Sequence, residues 1–227
     1  MATQKEIICS PEAFWHNGPP CVIWGASPED EGTAFLPYAH RPHFLIAADG
    51  GAEKAKKLGL EPDILMGDMD SLADFSFDAE KNVIRLPAEK DDTDLYAAAR
   101  EGLRRDFRRF LLIGCTGGRL DHFLSVLSVL AFLEQEGAQG LVLSDGNRIF
   151  WAKGPFQAVI PNDPAFQYFS LQAMDKTVTD VTIKGAKYPL SDYTLHRESS
   201  IGISNEIQGE AAFVSASAGE LLIIQSS

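Results

Sequence analysis

Short apolar runs alternate with longer segments of helical periodicity over the first two thirds of the chain. Near-continuous apolar runs predict buried strands at residues 21–24, 44–48, 64–66, 83–86, 110–113 and 141–143. Between them, residues 52–58, 93–107 and 120–136 predict helices, because apolar side chains recur there at intervals of three and four. Apolar strands that alternate with helices are typical of a parallel sheet covered on both faces.

The helix predicted at 120–136 carries the longest apolar stripe. We expect its buried face to be formed by Leu120, Phe123, Leu124, Leu127, Leu130 and Ala131. Gly137 is expected to end the helix, since glycine adopts the left-handed conformation common after helix C-termini.

The pattern changes near residue 144, after which no helical period is found. Short apolar segments separated by turn residues predict strands at 148–152, 158–160, 166–171, 177–183, 213–216 and 221–225. These are typical of an antiparallel β sandwich. The fold class predicted is therefore α/β, with a Rossmann-like parallel-sheet domain at residues 1–144 and an antiparallel β-sandwich domain at 145–227. Residues 1–20 are weakly patterned.

The amino-acid composition limits the classes of molecule that the protein is expected to bind. The formal net charge is −12, which argues against a nucleic-acid surface, and a polyanionic substrate would need a metal or a few placed cations. Three scattered cysteines favour a reducing compartment. No apolar run approaches the length of about 20 residues that crosses a membrane, and the N-terminus has no signal-peptide pattern. We expect a cytoplasmic protein without nucleic-acid or membrane partners.

The first candidate for chemistry is the segment Gly67–Ser71, which follows the strand at 64–66. It places Asp68 and Asp70 two residues apart at the end of that strand. Two carboxylates that face one point repel each other unless a cation lies between them, and Mg²⁺ is commonly held by carboxylates together with substrate phosphates. The alternative is a solvated acidic turn.

Three more polar clusters follow predicted strands, at residues 49–51, 89–94 and 114–122. In open α/β sheets, ligands bind outside the carboxyl ends of the strands, so the four clusters should converge. Together they contain the carboxylates Asp49, Asp68, Asp70, Asp91, Asp92 and Asp94. So many carboxylates near one edge cannot all stay ionised without a cation.

The cluster at 114–122 favours phosphate. Gly114, Gly117 and Gly118 let backbone N–H groups approach a ligand ahead of a helix N-terminus, and Arg119 adds a bidentate cation. A plain strand–helix turn is the alternative for the glycines. Together with the acidic clusters, they indicate a nucleoside triphosphate with Mg²⁺.

Several residues in these clusters have two interpretations. Asp121 is either a first-turn helix acid or part of the site, and Asp94 is either such an acid or a metal ligand or base. His122 is a partly buried histidine or a general base. Lys90 is a surface charge or a phosphate ligand.

These residues resemble a known family, the thiamin pyrophosphokinases. The resemblance lies in the order and spacing of the segments 48–52 (ADGGA), 62–71 (PDILMGDMDS), 89–99 (EKDDTDLYAAA) and 116–130 (TGGRLDHFLSVLSVL), and more weakly of 183–190 and 200–207. It extends from about residue 44 to the end of the chain.

The resemblance implies an ATP- and Mg²⁺-dependent diphosphokinase that transfers the diphosphate of ATP to the hydroxyl of thiamine, releasing AMP. It implies a homodimer with thiamine bound between subunits, an α/β domain that binds ATP and Mg²⁺, and a β domain that contributes to thiamine binding and dimerisation. The implied catalytic residues are Asp68, Asp70, Asp94 and Arg119, with the metal held by Asp68, Asp70 and Asp94. The implied nucleotide side comprises Asp49, Gly50, Asp91, Thr93, Gly117, Gly118, Arg119 and Asp121, and the thiamine side comprises Ser204 and Asn205.

The chain departs from the family pattern at a few positions. Met69 replaces the more usual phenylalanine between the two aspartates, and Ala186 stands where the family has leucine. The alternatives are therefore a kinase of the same fold that acts on another small hydroxyl substrate, and a nucleotide sensor without catalysis.

Overall fold

The computed structural model describes residues 4–67, 82–87 and 92–227. Its internal contacts divide the chain into two units, one spanning residues 14–145 and one spanning 146–227 together with the N-terminal segment that ends at Ala13. That segment joins the second unit because strand β1 (Lys5–Ile8) pairs in parallel with strand β9 (Phe156–Pro161). Residues 4–13 thus group with the β-rich unit, whereas the sequence analysis placed them in the first domain.

In its described residues, the first unit contains a parallel sheet and three α-helices. Its elements are β2 (Cys21–Trp24), β3 (Phe44–Ala48), α1 (Gly51–Lys57), β4 (Ile64–Gly67), β5 (Val83–Arg85), α2 (Asp94–Arg104), β6 (Arg109–Ile113), α3 (Leu120–Gln135) and β7 (Gln139–Leu143). A short 3₁₀ helix lies at Thr33–Tyr38, and another, at Pro11–Trp15, begins in the N-terminal segment of the second unit and ends in the first. Within this unit the strand order is β7-β6-β2-β3-β4-β5, with every neighbouring pair parallel.

Burial explains why these strands form. All four residues of β2 are buried, as are the last four of β6, because both strands lie inside the sheet. Helix α2 packs on β2, β3 and β4. Gly102 permits α2 to lie close to the sheet, since a Cβ there would come within 2.4 Å of the Phe110 ring on β6 and 3.1 Å of Cys21 Sγ on β2. The ring of Tyr96 stacks on Phe132 at 4.5 Å and joins α2 to α3.

The buried face of α3 differs from the stripe expected from the sequence. The buried residues are Val126, Val129, Leu130 and Leu133, and of these only Leu130 belongs to that stripe. Leu120 and Leu124 are 77% and 60% exposed. The helix carries apolar residues around most of its circumference, so periodicity alone does not select the face that packs on α2 and β7.

The second unit is built mainly of antiparallel strands. They are β8 (Asn147–Lys153), β9, β10 (Tyr168–Ala173), β11 (Thr177–Lys184), β12 (Leu190–His196), β13 (Ala211–Ala216) and β14 (Glu220–Ser226). One sheet has the order β1-β9-β13-β11-β12, and β10, β14 and β8 pair in that order, each pair antiparallel. The parallel α/β unit and the antiparallel β unit confirm the predicted fold class. Among the described residues, no helix is both long and apolar enough to cross a membrane.

A charged cluster fixes the C-terminal turn of α2. Glu101 is only 8% exposed, and its carboxylate accepts hydrogen bonds from Arg104 Nε at 2.7 Å and Arg105 Nε at 2.7 Å. The Arg104 hydrogen bond is the main cause that lowers the pKa of Glu101, with a smaller contribution from Arg105.

Because the pKa of Glu101 is lowered by folding, the ionised carboxylate stabilises the fold above its unfolded-state pKa. We expect Glu101→Gln to lower the free energy of unfolding by about 1 kcal/mol at neutral pH, since both arginines are partly exposed. The difference from wild type should shrink as the pH falls through the folded-state pKa. Thermal unfolding of both proteins from pH 7 to pH 3 measures this, and a difference that stays constant with pH would contradict it.

Candidate active site

Four strand ends of the first unit meet at one edge of the sheet. Trp24, the last residue of β2, is in register with Ala47 of β3 and Ile113 of β6. The strands therefore end at the same level, and their main chains stay joined just beyond: Gly25 N donates to Ile113 O at 2.8 Å, and Asp49 N donates to Met66 O at 2.7 Å. Each connection that follows these strands starts from this edge.

A cavity of about 640 Å³ lies at this edge. Its lining comes from the loop after β2, the residues after β3, the start of α2, and the loop and first turns at α3. The lining residues that matter chemically are Ser27, Glu29, Asp49, Thr93, Asp94, Gly117, Gly118, Arg119, His122 and Ser125. Carboxylates, a glycine-rich loop and the start of a helix thus line one cavity.

The glycine-rich loop requires glycine. Gly117 and Gly118 have φ values of +81° and +68°, a region that side chains disfavour. A Cβ on Gly117 would also come within 2.7 Å of the Glu29 Cβ. The loop leads directly into α3, whose N-terminus offers unpaired N–H groups and the positive end of the helix dipole. This arrangement suits phosphate oxygens.

The loop after β2 and the glycine-rich loop are joined by hydrogen bonds. Ser27 N donates to Gly114 O at 2.9 Å, and the Ser27 hydroxyl donates to Thr116 O. The ammonium of Lys54, on α1, donates to the main-chain oxygens of Ser27 and Asp30. Two segments distant in sequence therefore form one wall of the cavity.

Cys115 lies at the base of this wall. Its thiol is buried and donates to Ile113 O at 3.1 Å, and a Cβ on Gly25 would come within 2.8 Å of its sulfur. Burial raises the pKa of the Cys115 thiol well above its usual range.

The acidic side of the cavity holds Asp49 and Asp94. Asp49 has a φ of +52°, a strained value for a residue with a side chain, and follows directly after β3. Asp94 begins α2, which is capped by Thr93, whose hydroxyl accepts from Tyr96 N at 3.3 Å. Two hard oxygen donors thus line the same cavity as the glycine-rich loop.

Arg119 and Asp121 form an ion pair at the start of α3. Arg119 Nε donates to Asp121 Oδ1 at 3.1 Å, and the guanidinium lowers the pKa of Asp121 to about 2. Both side chains are exposed, at 70% and 64%. Arg119 lines the cavity, whereas Asp121 stands beside it and orients the guanidinium.

The predicted site residues of the first unit are distributed as follows. Those that line the cavity are Asp49, Thr93, Asp94, Gly117, Gly118 and Arg119. Gly50 lies next to the cavity as the N-cap of α1. Asp68, Asp70 and Asp91 lie outside the described residues. Gly67, which precedes Asp68 in the sequence, ends β4 at the same edge of the sheet.

The carboxylate oxygens that line the cavity are suited to binding a hard cation. Within the described ranges, no group of three or more His, Cys, Asp or Glu side chains could hold a metal by itself. Asp49 and Asp94 nevertheless supply carboxylate oxygens to the cavity, and such oxygens are the ligands that Mg²⁺ prefers. A magnesium site here would need further oxygens, from Asp68 and Asp70 or from substrate phosphates.

Ser204 and Asn205 lie in the second unit. Asn205 is buried, and its side chain is bonded to Tyr188: Oδ1 accepts from Tyr188 N at 3.0 Å, and Nδ2 donates to Tyr188 O at 2.8 Å. Asn205 lines a second cavity of about 230 Å³ together with Ile183, Tyr188, Leu190 and residues 200–203. Ser204 is exposed, has a φ of +57°, and donates its N–H to Ser170 Oγ at 3.0 Å.

The loop at residues 25–30 was missed by the sequence analysis, which left this segment without a role. It follows β2 in the same way as the four recognised clusters follow their strands. Gly25 therefore gave a strand-end signal. The strand order, which places β2 between β3 and β6, cannot be predicted from the local sequence.

A glycine-rich loop ahead of a helix and carboxylates that line the same cavity are features of a nucleotide-dependent phosphotransferase of the α/β class. Two family models match the chain: the thiamin pyrophosphokinase catalytic domain over residues 36–141, and the thiamin pyrophosphokinase vitamin B1 binding domain over residues 157–221. Together they cover well over half of its length. The chain belongs to the thiamin pyrophosphokinase family.

Individual relatives agree with this. The thiamine pyrophosphokinase of Bacillus subtilis is 29% identical over 194 residues, which is 83% of this chain and 90% of that one. The crystal structure of thiamine pyrophosphokinase from Bacillus subtilis matches with a TM-score of 0.84 at 25% identity, covering 92% of this chain and 99% of that chain. The enzyme from Geobacillus thermodenitrificans matches with a TM-score of 0.80 at 28% identity, covering 91% and 97%.

Proposed function

We propose that the cavity of the first unit is the site where ATP donates its diphosphate to the hydroxyl of thiamine. As a member of its family the chain is a thiamine diphosphokinase, an ATP-dependent diphosphotransferase whose substrates are ATP and thiamine. The observation that carries the placement is the convergence of the Gly117–Arg119 loop with Asp49 and Asp94 on one cavity. Family membership does not favour the alternatives, a kinase for another hydroxyl substrate or a sensor without catalysis.

The polyphosphate of ATP is proposed to lie against the glycine-rich loop. The N–H groups of Gly117 and Gly118 have no hydrogen-bond partner among the described residues, so they are available for phosphate oxygens. Arg119 adds a cation that can take part of the charge that develops on the phosphates during transfer. The Asp121 carboxylate holds the guanidinium at the cavity before the nucleotide arrives.

Magnesium is proposed as the cofactor, held by Asp68, Asp70 and Asp94. When bound, it would neutralise phosphate oxygens and so favour the attack of an alcohol on the β-phosphorus. The carboxylate cluster, of which Asp94 is the described member, is assigned to accept the proton of the thiamine hydroxyl. Carboxylates and backbone donors together meet the needs of a reaction that depends mainly on positioning and charge neutralisation.

The second unit is proposed to contribute to thiamine binding through Ser204 and Asn205. Ser204 presents an exposed hydroxyl, while Asn205 shapes the neighbouring cavity by holding the main chain of Tyr188. Ala186, where the chain departs from the family pattern, is buried, bridges to Ile207 and does not line that cavity.

A cytoplasmic homodimer completes the proposal. Cys9, Cys21 and Cys115 are all free and buried, which suits a reducing compartment. Leu120 and Leu124 expose an apolar strip on α3 next to the cavity-lining residues Arg119 and His122. A second copy that covers these leucines would remove apolar surface from water close to the site.

The reaction is tested by its nucleotide product. Incubation of the full chain with Mg–ATP and thiamine is expected to yield AMP and thiamine diphosphate in equal amounts, quantified by chromatography. Omission of thiamine is the control, and AMP formation should then cease. Formation of ADP would instead indicate single phosphoryl transfer, and ATP binding without turnover would indicate a sensor.

The role of Asp94 is tested against a matched neighbour. We expect Asp94→Asn to lower kcat by about 100-fold or more, because one proton acceptor and metal ligand is lost. Asp92→Asn is the control, since Asp92 forms an ion pair with Arg100 at 2.9 Å and does not line the cavity. Equal effects of the two substitutions on kcat would contradict the assignment.

The proposed dimer is tested by light scattering after gel filtration. The wild-type chain is expected to elute at twice its mass of 24.8 kDa, and Leu124→Glu is expected to elute as a monomer. Leu36→Glu, which changes an apolar residue 43% exposed on the 3₁₀ helix at Thr33–Tyr38 of the same unit, is the control and should leave the mass unchanged. A monomeric wild type, or a dimer lost only in the control, would contradict the proposal.

A further inference from the structure

Asp30 is a buried carboxylate that the predicted site does not include. It is 4% exposed and does not line the cavity. Four donors converge on it: Oδ1 accepts from Gly32 N at 3.0 Å, and Oδ2 accepts from Cys115 N at 3.1 Å, Thr116 N at 3.2 Å and Thr116 Oγ1 at 2.9 Å. In the described part of the chain, no lysine or arginine side chain forms an ion pair with it.

A buried carboxylate is costly unless its oxygens are hydrogen-bonded, so these four donors are what permit Asp30 to be there. Three of the four belong to Cys115 and Thr116, which lie 85 and 86 residues further along the chain. Asp30 therefore fixes the start of the glycine-rich loop with respect to the loop after β2.

The segment that carries Asp30 is itself held in place. Lys54 Nζ donates to Asp30 O at 3.1 Å and pairs with Glu31 at 3.2 Å. The glycine-rich loop is thus connected through Thr116, Asp30 and Lys54 to helix α1, which packs on β2 and β3.

We propose that Asp30 is a positioning residue for the polyphosphate of the nucleotide, an inference that rests on the proposed function. By binding the N–H groups of Cys115 and Thr116, Asp30 fixes the direction of the loop, while the next N–H groups, of Gly117 and Gly118, stay available. It acts on the nucleotide through the loop and does not touch it.

Holding the loop in this way requires a carboxylate at position 30. Asparagine has the same shape but only one acceptor oxygen, and its NH₂ group would face either Gly32 N or the donors of residues 115 and 116. Asp30→Asn should therefore loosen the loop without removing volume from the core.

The test combines steady-state kinetics with hydrogen exchange on the full chain. Asp30→Asn is expected to raise KM for ATP by about tenfold, the size expected for one or two lost hydrogen bonds, with KM for thiamine changed less than twofold. Amide exchange in peptides that span residues 114–119 should accelerate, while exchange in β7 should not change.

A second pair of variants keeps Asp30 in place. Thr116→Val removes one of the four donors, and Thr116→Ser keeps it. The Thr116→Val variant should therefore raise KM for ATP about threefold, and the Thr116→Ser variant should have the KM of the wild type. Glu101→Gln, at another carboxylate that is only 8% exposed and does not line the cavity, is the control for a general loss of stability.

Failure of the proposed role of Asp30 and failure of the proposed function give different results. Unchanged exchange at 114–119 in Asp30→Asn, an equal rise of both KM values, or the same change in Glu101→Gln would overturn the role of Asp30. If the wild type forms no AMP with thiamine, the proposed function fails, and the role of Asp30 is then judged by the exchange measurement together with the Kd for ATP from calorimetry.

Discussion

Parallel pairing of β2 with β3 on one side and β6 on the other is the constraint on which the site depends. Its register brings the strands to an end at one level, so that Gly25, Asp49 and Gly114 begin their loops side by side. If β2 were shifted by one residue, its own side chains would turn to the opposite faces of the sheet, and the loop that carries Ser27 and Asp30 would no longer start level with the loops after β3 and β6.

Hydrogen bonds beyond the strands then convert this edge into a defined shape. The loops after β2 and β6 carry few large apolar side chains, so they are held by polar contacts such as those of Ser27, Asp30 and Lys54. Gly117 and Gly118 adopt the left-handed backbone without strain, so the loop that these contacts hold can turn into α3. Rigidity at the cavity is therefore derived from buried polar groups, while the sheet beneath is held by apolar packing.

The sequence was sufficient for the strands, because residues such as Ile23, Ile46 and Leu112 are buried whatever the strand order. The sequence was not sufficient where burial or a residue's role depends on contacts between segments distant in the chain. The exposed leucines of α3 and the role of Asp30 required the strand order, and β12 was missed because most of its residues are at least partly exposed. The positions of Asp49, Asp94 and Gly117 on one cavity are those expected for strand-end clusters, whereas Asp68, Asp70 and Asp91 remain predictions from sequence.

Cys115 lies beside a cavity in which an electrophilic phosphorus is proposed to react. Its thiol is buried and donates to Ile113 O, and burial keeps the pKa high, so it stays protonated at neutral pH. A thiolate at this position would be a strong nucleophile and the first group attacked by peroxide or alkylating reagents. By burying this sulfur and keeping its thiol protonated, the fold leaves no thiolate to compete with the alcohol proposed to attack the phosphorus.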